Sequence, residues 1–178
     1  MNRDKTRNTC LAALFTAMIT LFTVGFRFSI GANSGYIHLG DTIIYLASCL
    51  LPAPYAVFAA SVGGITSDLL SGAAVWAVPT GIIKAINTMP FLLFRKNYMS
   101  LHKKDFNKIL VSRSIIACIL SGMITSSGYF AAECLIYGVK PAMISFFPGL
   151  LQPIGSAFLF IFAGSALDSA KIKSRFSV

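Results

Sequence analysis

Charge is what this sequence has least of. Only 12% of its 178 residues are Asp, Glu, Lys or Arg, against roughly 25% in a soluble domain. Acid is scarcer still, with six Asp and Glu beside 15 Lys and Arg. A chain this short of polar surface cannot face water all round, which excludes an ordinary soluble fold. The four cysteines, Cys10, Cys49, Cys118 and Cys134, are scattered. They form no Cys-x-x-Cys pair and no metal-ligand spacing with His38 or His102, so they read as small packing residues. There is no Gly-x-Ser-x-Gly elbow and no His-Glu-x-x-His, and His38 has no second histidine in an apolar segment, so an enzyme is not expected. No basic run alternates with aromatics on a polar face, which argues against nucleic acid.

What fills the sequence is hydrocarbon: 56% of residues are hydrophobic and the mean hydropathy is +0.74. One integral membrane domain over residues 1–178 is the natural expectation, all-α and polytopic. Residues 10–26 resemble the apolar core of a signal peptide but run too long for one, so they read as a first span. The pattern predicts six helices, over about 8–29, 38–51, 55–70, 77–94, 109–136 and 144–168. Leu51-Pro-Ala-Pro54 separates the second from the third. Residues 31–37, 71–76 and 137–143 read as loops. The second and third helices are short for a span of about 20 residues, which predicts tilt or burial inside the bundle.

Charge orients this bundle. Arg3, Lys5 and Arg7 precede the first helix; Arg95, Lys96, Lys103, Lys104, Lys108 and Arg113 lie in and beside the 95–108 loop; Lys171, Lys173 and Arg175 close the chain. These are twelve of the 15 basic residues, and six spans put all three segments on one side. The positive-inside rule makes that side cytoplasmic, with both termini, in the cell membrane. The remaining cations, Arg27, Lys84 and Lys140, avoid those segments.

The few ionisable residues inside apolar stretches then converge. Asp41, Asp68, Lys84 and Glu133 fall in the outer leaflet or near mid-depth, where a charge costs about 2.5–3.5 kcal/mol and therefore faces a polar cavity or a partner. Asp41, beside His38 at the outer start of the second helix, also suits a helix N-terminus as a plain cap. Asp68 lies at the wrong helix end for that. Lys84 lies roughly 10–13 Å below the outer end of its helix at 1.5 Å per residue, too deep to snorkel, and needs a carboxylate or a ligand. Asn87 follows one turn later. Tyr129 and Glu133 share a face at i, i+4, and Gln152 is polar among Phe, Leu and Pro. Asn33, Tyr36 and Trp76 complete the outer set. Tyr36 and Trp76 suit a lid over a planar ligand, although Trp76 equally suits an interfacial aromatic belt. Aromatics with a few hydrogen-bonding groups are the usual lining of a small-molecule site. His102, in the basic loop, reads as solvated. A stand-alone secondary transporter or channel for a small polar solute is the rival reading. The two halves of the chain show no internal repeat, which weighs against it.

Gly35-Tyr-Ile-His-Leu-Gly-Asp41 with its following Pro-x-Pro turn, Ser67-Asp68-Leu-Leu-Ser-Gly72 and Pro79-Thr-Gly-Ile-Ile-Lys84 resemble, in order, the S components of energy-coupling factor (ECF) vitamin transporters. Ala13-Leu-Phe-Thr-Ala17 is similar to the Ala-x-x-x-Ala signature through which S components contact the transmembrane coupling subunit. The resemblance covers nearly the whole chain. It implies a substrate-binding subunit, without a cofactor, that captures a small nitrogen heterocycle at the outer face. Pyridoxine, hydroxymethylpyrimidine, thiamine, riboflavin and deazapurine precursors are the candidates. Its implied partners are membrane lipids, a coupling subunit and two cytoplasmic ATPases, and the S component topples in the membrane to release its cargo. In keeping with that division of labour, the chain has no Gly-x-x-x-x-Gly-Lys-[Ser/Thr] phosphate loop.

Overall fold

A computed structural model describes residues 3–30, 35–99 and 108–172. Helix α1 spans Arg3–Gly25, and a β-hairpin of β1 (Arg27–Ile30) and β2 (Gly35–His38) follows. The strands are antiparallel, with Arg27 opposite His38 and Ile30 opposite Gly35. Then come α2 (Gly40–Leu50), α3 (Ala53–Leu70), a single 3-10 turn (Ala74–Trp76), α4 (Ala77–Asn87), α5 (Met89–Met99), α6 (Ser112–Tyr137), α7 (Val139–Gly149) and α8 (Leu151–Ser169).

Four helical stretches among the described residues, Arg3–Gly25, Ala74–Phe94, Ser112–Tyr137 and Val139–Ser169, are long and apolar enough to cross a bilayer. With α2 and α3 they make six apolar helical segments. The surface is hydrocarbon: Leu135 is 89% and Phe147 75% exposed, and Leu21, Phe58, Val78 and Phe158 also point outward. So continuous an apolar surface is a lipid-facing one.

The eleven residues of α2 are all buried, so this helix is the centre of the bundle rather than one of its walls. Tyr45 on α2 stacks on Phe91 of α5 at 5.1 Å and meets the edge of Phe160 of α8 at 5.7 Å. Leu51 is extended and Pro52 and Pro54 start α3 in the positions where a missing N–H costs nothing. The helix α3 lies close against α1 because Gly63 leaves room for it. A Cβ there would come within 2.8 Å of the Ile19 side chain, and Thr20 Oγ1 donates to the Gly63 carbonyl at 3.2 Å. Asp168 of α8 accepts from the Ile109 and Leu110 N–H groups at 2.6 and 2.8 Å and ties α8 to the chain entering α6.

The helical bundle follows expectation, and several boundaries differ. The first helix stops at Gly25 rather than near 29, and residues 27–30 pair as β1. The second starts at Gly40, because His38 still belongs to β2. The fourth continues as α5 to Met99, so part of the basic 95–108 segment is helical; the loop remainder, with His102, lies outside the described residues. The outer loop expected over 137–143 shrinks to the turn at Gly138, whose φ of 92° suits a residue without Cβ, and helix resumes at Val139. The sixth helix is therefore two, α7 and α8.

Candidate functional site

The α7–α8 break, the hairpin, the 3-10 turn and the Gly138 turn lie at one end of the bundle, and polar side chains gather beneath them. At the bottom, Lys84 of α4 places Nζ 2.6 Å from Asp41 Oδ1 in the first turn of α2. Gln152 of α8 donates from Nε2 to the other oxygen, Oδ2, at 2.9 Å. Lys84 is 1% and Asp41 0% exposed. Gly64 of α3 allows the approach, since a Cβ there would meet Thr80 and the Lys84 stem. A buried pair of this kind compensates its own desolvation only when both partners are present and hydrogen-bonded, as here. The Lys84 ammonium also sits 5.0 Å from the centroid of the Tyr129 ring, a cation–π contact.

Above this floor a cavity of about 90 Å³ opens. Its walls are His38 of β2, Asp68 of α3, Trp76, Thr80 of α4, Thr125, Ser126, Tyr129, Phe130 and Glu133 of α6, Ser145, Phe146 and Gly149 of α7, and Gln152. Tyr129 donates from its hydroxyl to Thr80 Oγ1 at 3.1 Å. The Trp76 ring lies 5.9 Å from that of Tyr129, and Phe130 meets Phe146 edge-on at 5.4 Å. Glu133 accepts at Oε1 from Ser145 Oγ at 2.8 Å. The Gly40 N–H donates to His38 Nδ1 at 3.1 Å, which puts the proton of a neutral imidazole on Nε2. Trp76 Nε1, a donor, and Thr125 Oγ1 are buried polar atoms of the lining with no hydrogen-bond partner among the described residues.

The structure thus divides the candidates of the sequence. His38, Asp68, Trp76, Tyr129, Glu133 and Gln152 line the cavity. Asp41, Lys84 and Asn87 do not; all three are buried behind it, and the backbone carbonyl of Asn87 accepts from Ser121 Oγ of α6 at 2.7 Å. Tyr36 is in β2, with only its backbone described, and Asn33 lies outside the described residues. The partner of Lys84 is Asp41, and that of Glu133 includes Ser145. Trp76 is 7% exposed and turned inward, so it is a wall of the cavity and not a belt residue. Thr80, Thr125, Ser126, Phe130, Ser145, Phe146 and Gly149 were not anticipated. A signal for Thr125 was present, one turn before Tyr129 on the Glu133 face. For Ser145, Phe146 and Gly149 none was, because their placement depends on the α7–α8 break. Ala13 and Ala17, the other motif, are exposed together on the outer face of α1.

Comparison with known proteins agrees with this architecture. A family model described as the S component of the ECF-type riboflavin transporter matches residues 3–168. A protein of Pyrococcus woesei, described as an uncharacterized protein in the gap 3′ region, is 26% identical over 141 residues, covering 79% of this chain and 88% of that protein.

Proposed function

The chain belongs to the S-component family of ECF-type riboflavin transporters, and from that premise we propose that it captures a small polar heterocyclic micronutrient at the outer membrane face. A separate energising module, a transmembrane coupling subunit with two ATPases, then drives delivery inward. The cavity carries this reading: aromatic walls from Trp76, Tyr129, Phe130 and Phe146 surround a few fixed polar groups, the make-up of a small-molecule site. The cargo enters at the end of the bundle opposite the basic segments and is bound and released without chemical change. Ala13 and Ala17, exposed and small, let the coupling subunit approach the α1 backbone closely.

The test is a two-part reconstitution. The purified chain alone should bind a heterocyclic vitamin in detergent, shown by calorimetry or by mass spectrometry of co-purifying molecules. Liposomes holding the chain alone should accumulate none until coupling subunit, ATPases and ATP are supplied. Uptake by the chain alone, driven by a proton or sodium gradient, would establish a secondary transporter instead.

A further inference from the structure

We infer that the cargo is a heterocycle of a single ring, a substituted pyridine or pyrimidine, and that the fused rings of a flavin are excluded by size. The inference deepens the proposed function and rests on it. The cavity measures about 90 Å³. An apolar cavity of about 150 Å³ takes up one benzene, and sites for drug-sized ligands occupy about 300–1,000 Å³. The mouth is open, so substituents extend outward from the ring, but one ring is the upper limit for the space beneath.

The walls are fastened at this width. Below, Asp41 of α2 is held by Lys84 of α4 at 2.6 Å and by Gln152 of α8 at 2.9 Å. Helix α6 is tied to α4 by the Tyr129 hydroxyl on Thr80 at 3.1 Å, and to α7 by Ser145 on Glu133 at 2.8 Å. Widening the cavity breaks one of these links, and a donor or acceptor left unmade out of water costs more than the bond itself contributes. The aromatic walls are closed up as well. Trp76 packs on Tyr129 and Tyr137 with ring centroids 5.9 and 6.0 Å apart, which is direct ring contact, so no ligand ring slips between them. Recognition falls to Trp76 Nε1 and Thr125 Oγ1, buried without a partner among the described residues. The indole N–H only donates, whereas the hydroxyl donates and accepts. A ring nitrogen beside an amino or hydroxyl substituent answers both within one ring.

The experiment titrates the purified full chain with pyridoxine and hydroxymethylpyrimidine as single-ring probes, and with riboflavin and lumichrome (the flavin ring system without its ribityl chain) as fused-ring probes. The expected result is that at least one single-ring probe binds, and more than tenfold tighter than either fused-ring probe. Phe130→Ala and Phe146→Ala, made singly and checked for wild-type thermal stability, each remove wall without touching Trp76 or Thr125. Either should narrow that ratio by at least threefold by admitting the larger ring. A phenylalanine that serves only the fold would weaken all probes equally and leave the ratio in place, and if neither variant folds the wild-type ratio decides alone. A fused-ring probe that binds within tenfold of the best single-ring probe, or a ratio unmoved in both variants, overturns selection by size and leaves heterocycle capture intact. Binding of none of the four compounds overturns both readings.

Discussion

At the scale of single residues, we propose that the site separates a part that holds the protein from a part that meets cargo. Lys84 and Asp41 are the holding part. Removing one member of a buried ion pair leaves an uncompensated charge and costs about 3–5 kcal/mol. Lys84→Met should therefore lower the melting temperature of the detergent-solubilised protein sharply, and adding Asp41→Asn should recover much of the loss. If Lys84→Met melts like the wild type, the pair is not the anchor its geometry describes. Glu133 belongs to the other part. A carboxylate that accepts from a neutral donor in a dry site contributes about 1.5–3 kcal/mol, and tenfold in affinity corresponds to about 1.4 kcal/mol. Glu133→Gln keeps the shape and one acceptor, so folded protein should persist while vitamin affinity falls ten- to a hundredfold. Unchanged affinity in a titration would remove Glu133 from the site.

At the scale of helices, composition and period carried most of the fold, because six apolar stretches bounded by Gly, Pro or basic residues leave little choice in a bilayer. The breaks within them were not legible. Pro148 stands inside α7 and Pro153 in the first turn of α8, yet a proline is compatible with both a kink and an uninterrupted span. The hairpin of 27–30 with 35–38 is a pairing between segments, set by docking against α7 and α8 and not by either strand alone. Asp168 stands in the last turn of α8, and its reason, the Ile109 and Leu110 amides, is 58 residues or more away in sequence. The α1 stripe allows a test at this scale. Ala13 is exposed, whereas its neighbour Ala12 is 3% exposed in the core. Ala13→Trp should spare folding and vitamin binding but abolish uptake by the reconstituted transporter, by blocking close helix approach. Ala12→Trp should damage the fold itself through overpacking. Loss of binding in folded Ala13→Trp would mean that this face serves the pocket.

At the scale of the whole molecule, an acidic, aromatic cavity lies at one end of a bundle whose basic residues gather at the other. The net charge of +9 is therefore not a uniform property but a gradient along the membrane normal. Arg3, Lys5 and Arg7 lie in the first turns of α1, Lys108 and Arg113 flank the start of α6, and Lys171 follows α8, all at the end fastened by Asp168. Retention of Lys and Arg on the cytoplasmic side orients bundles of this kind, and on that rule we propose that the cavity faces outward. Site-directed labelling reads this directly. The four native cysteines are first replaced by Ala or Ser, since Cys10 is exposed. Asn97→Cys, at the basic end, should then resist a membrane-impermeant thiol reagent applied to intact cells and react once the cells are opened. Lys140→Cys, exposed at the start of α7, should react from outside at once. The reverse pattern would put the cavity on the cytoplasmic face, where it would meet an already imported and phosphorylated pool, and would overturn uptake from outside as the task of this site.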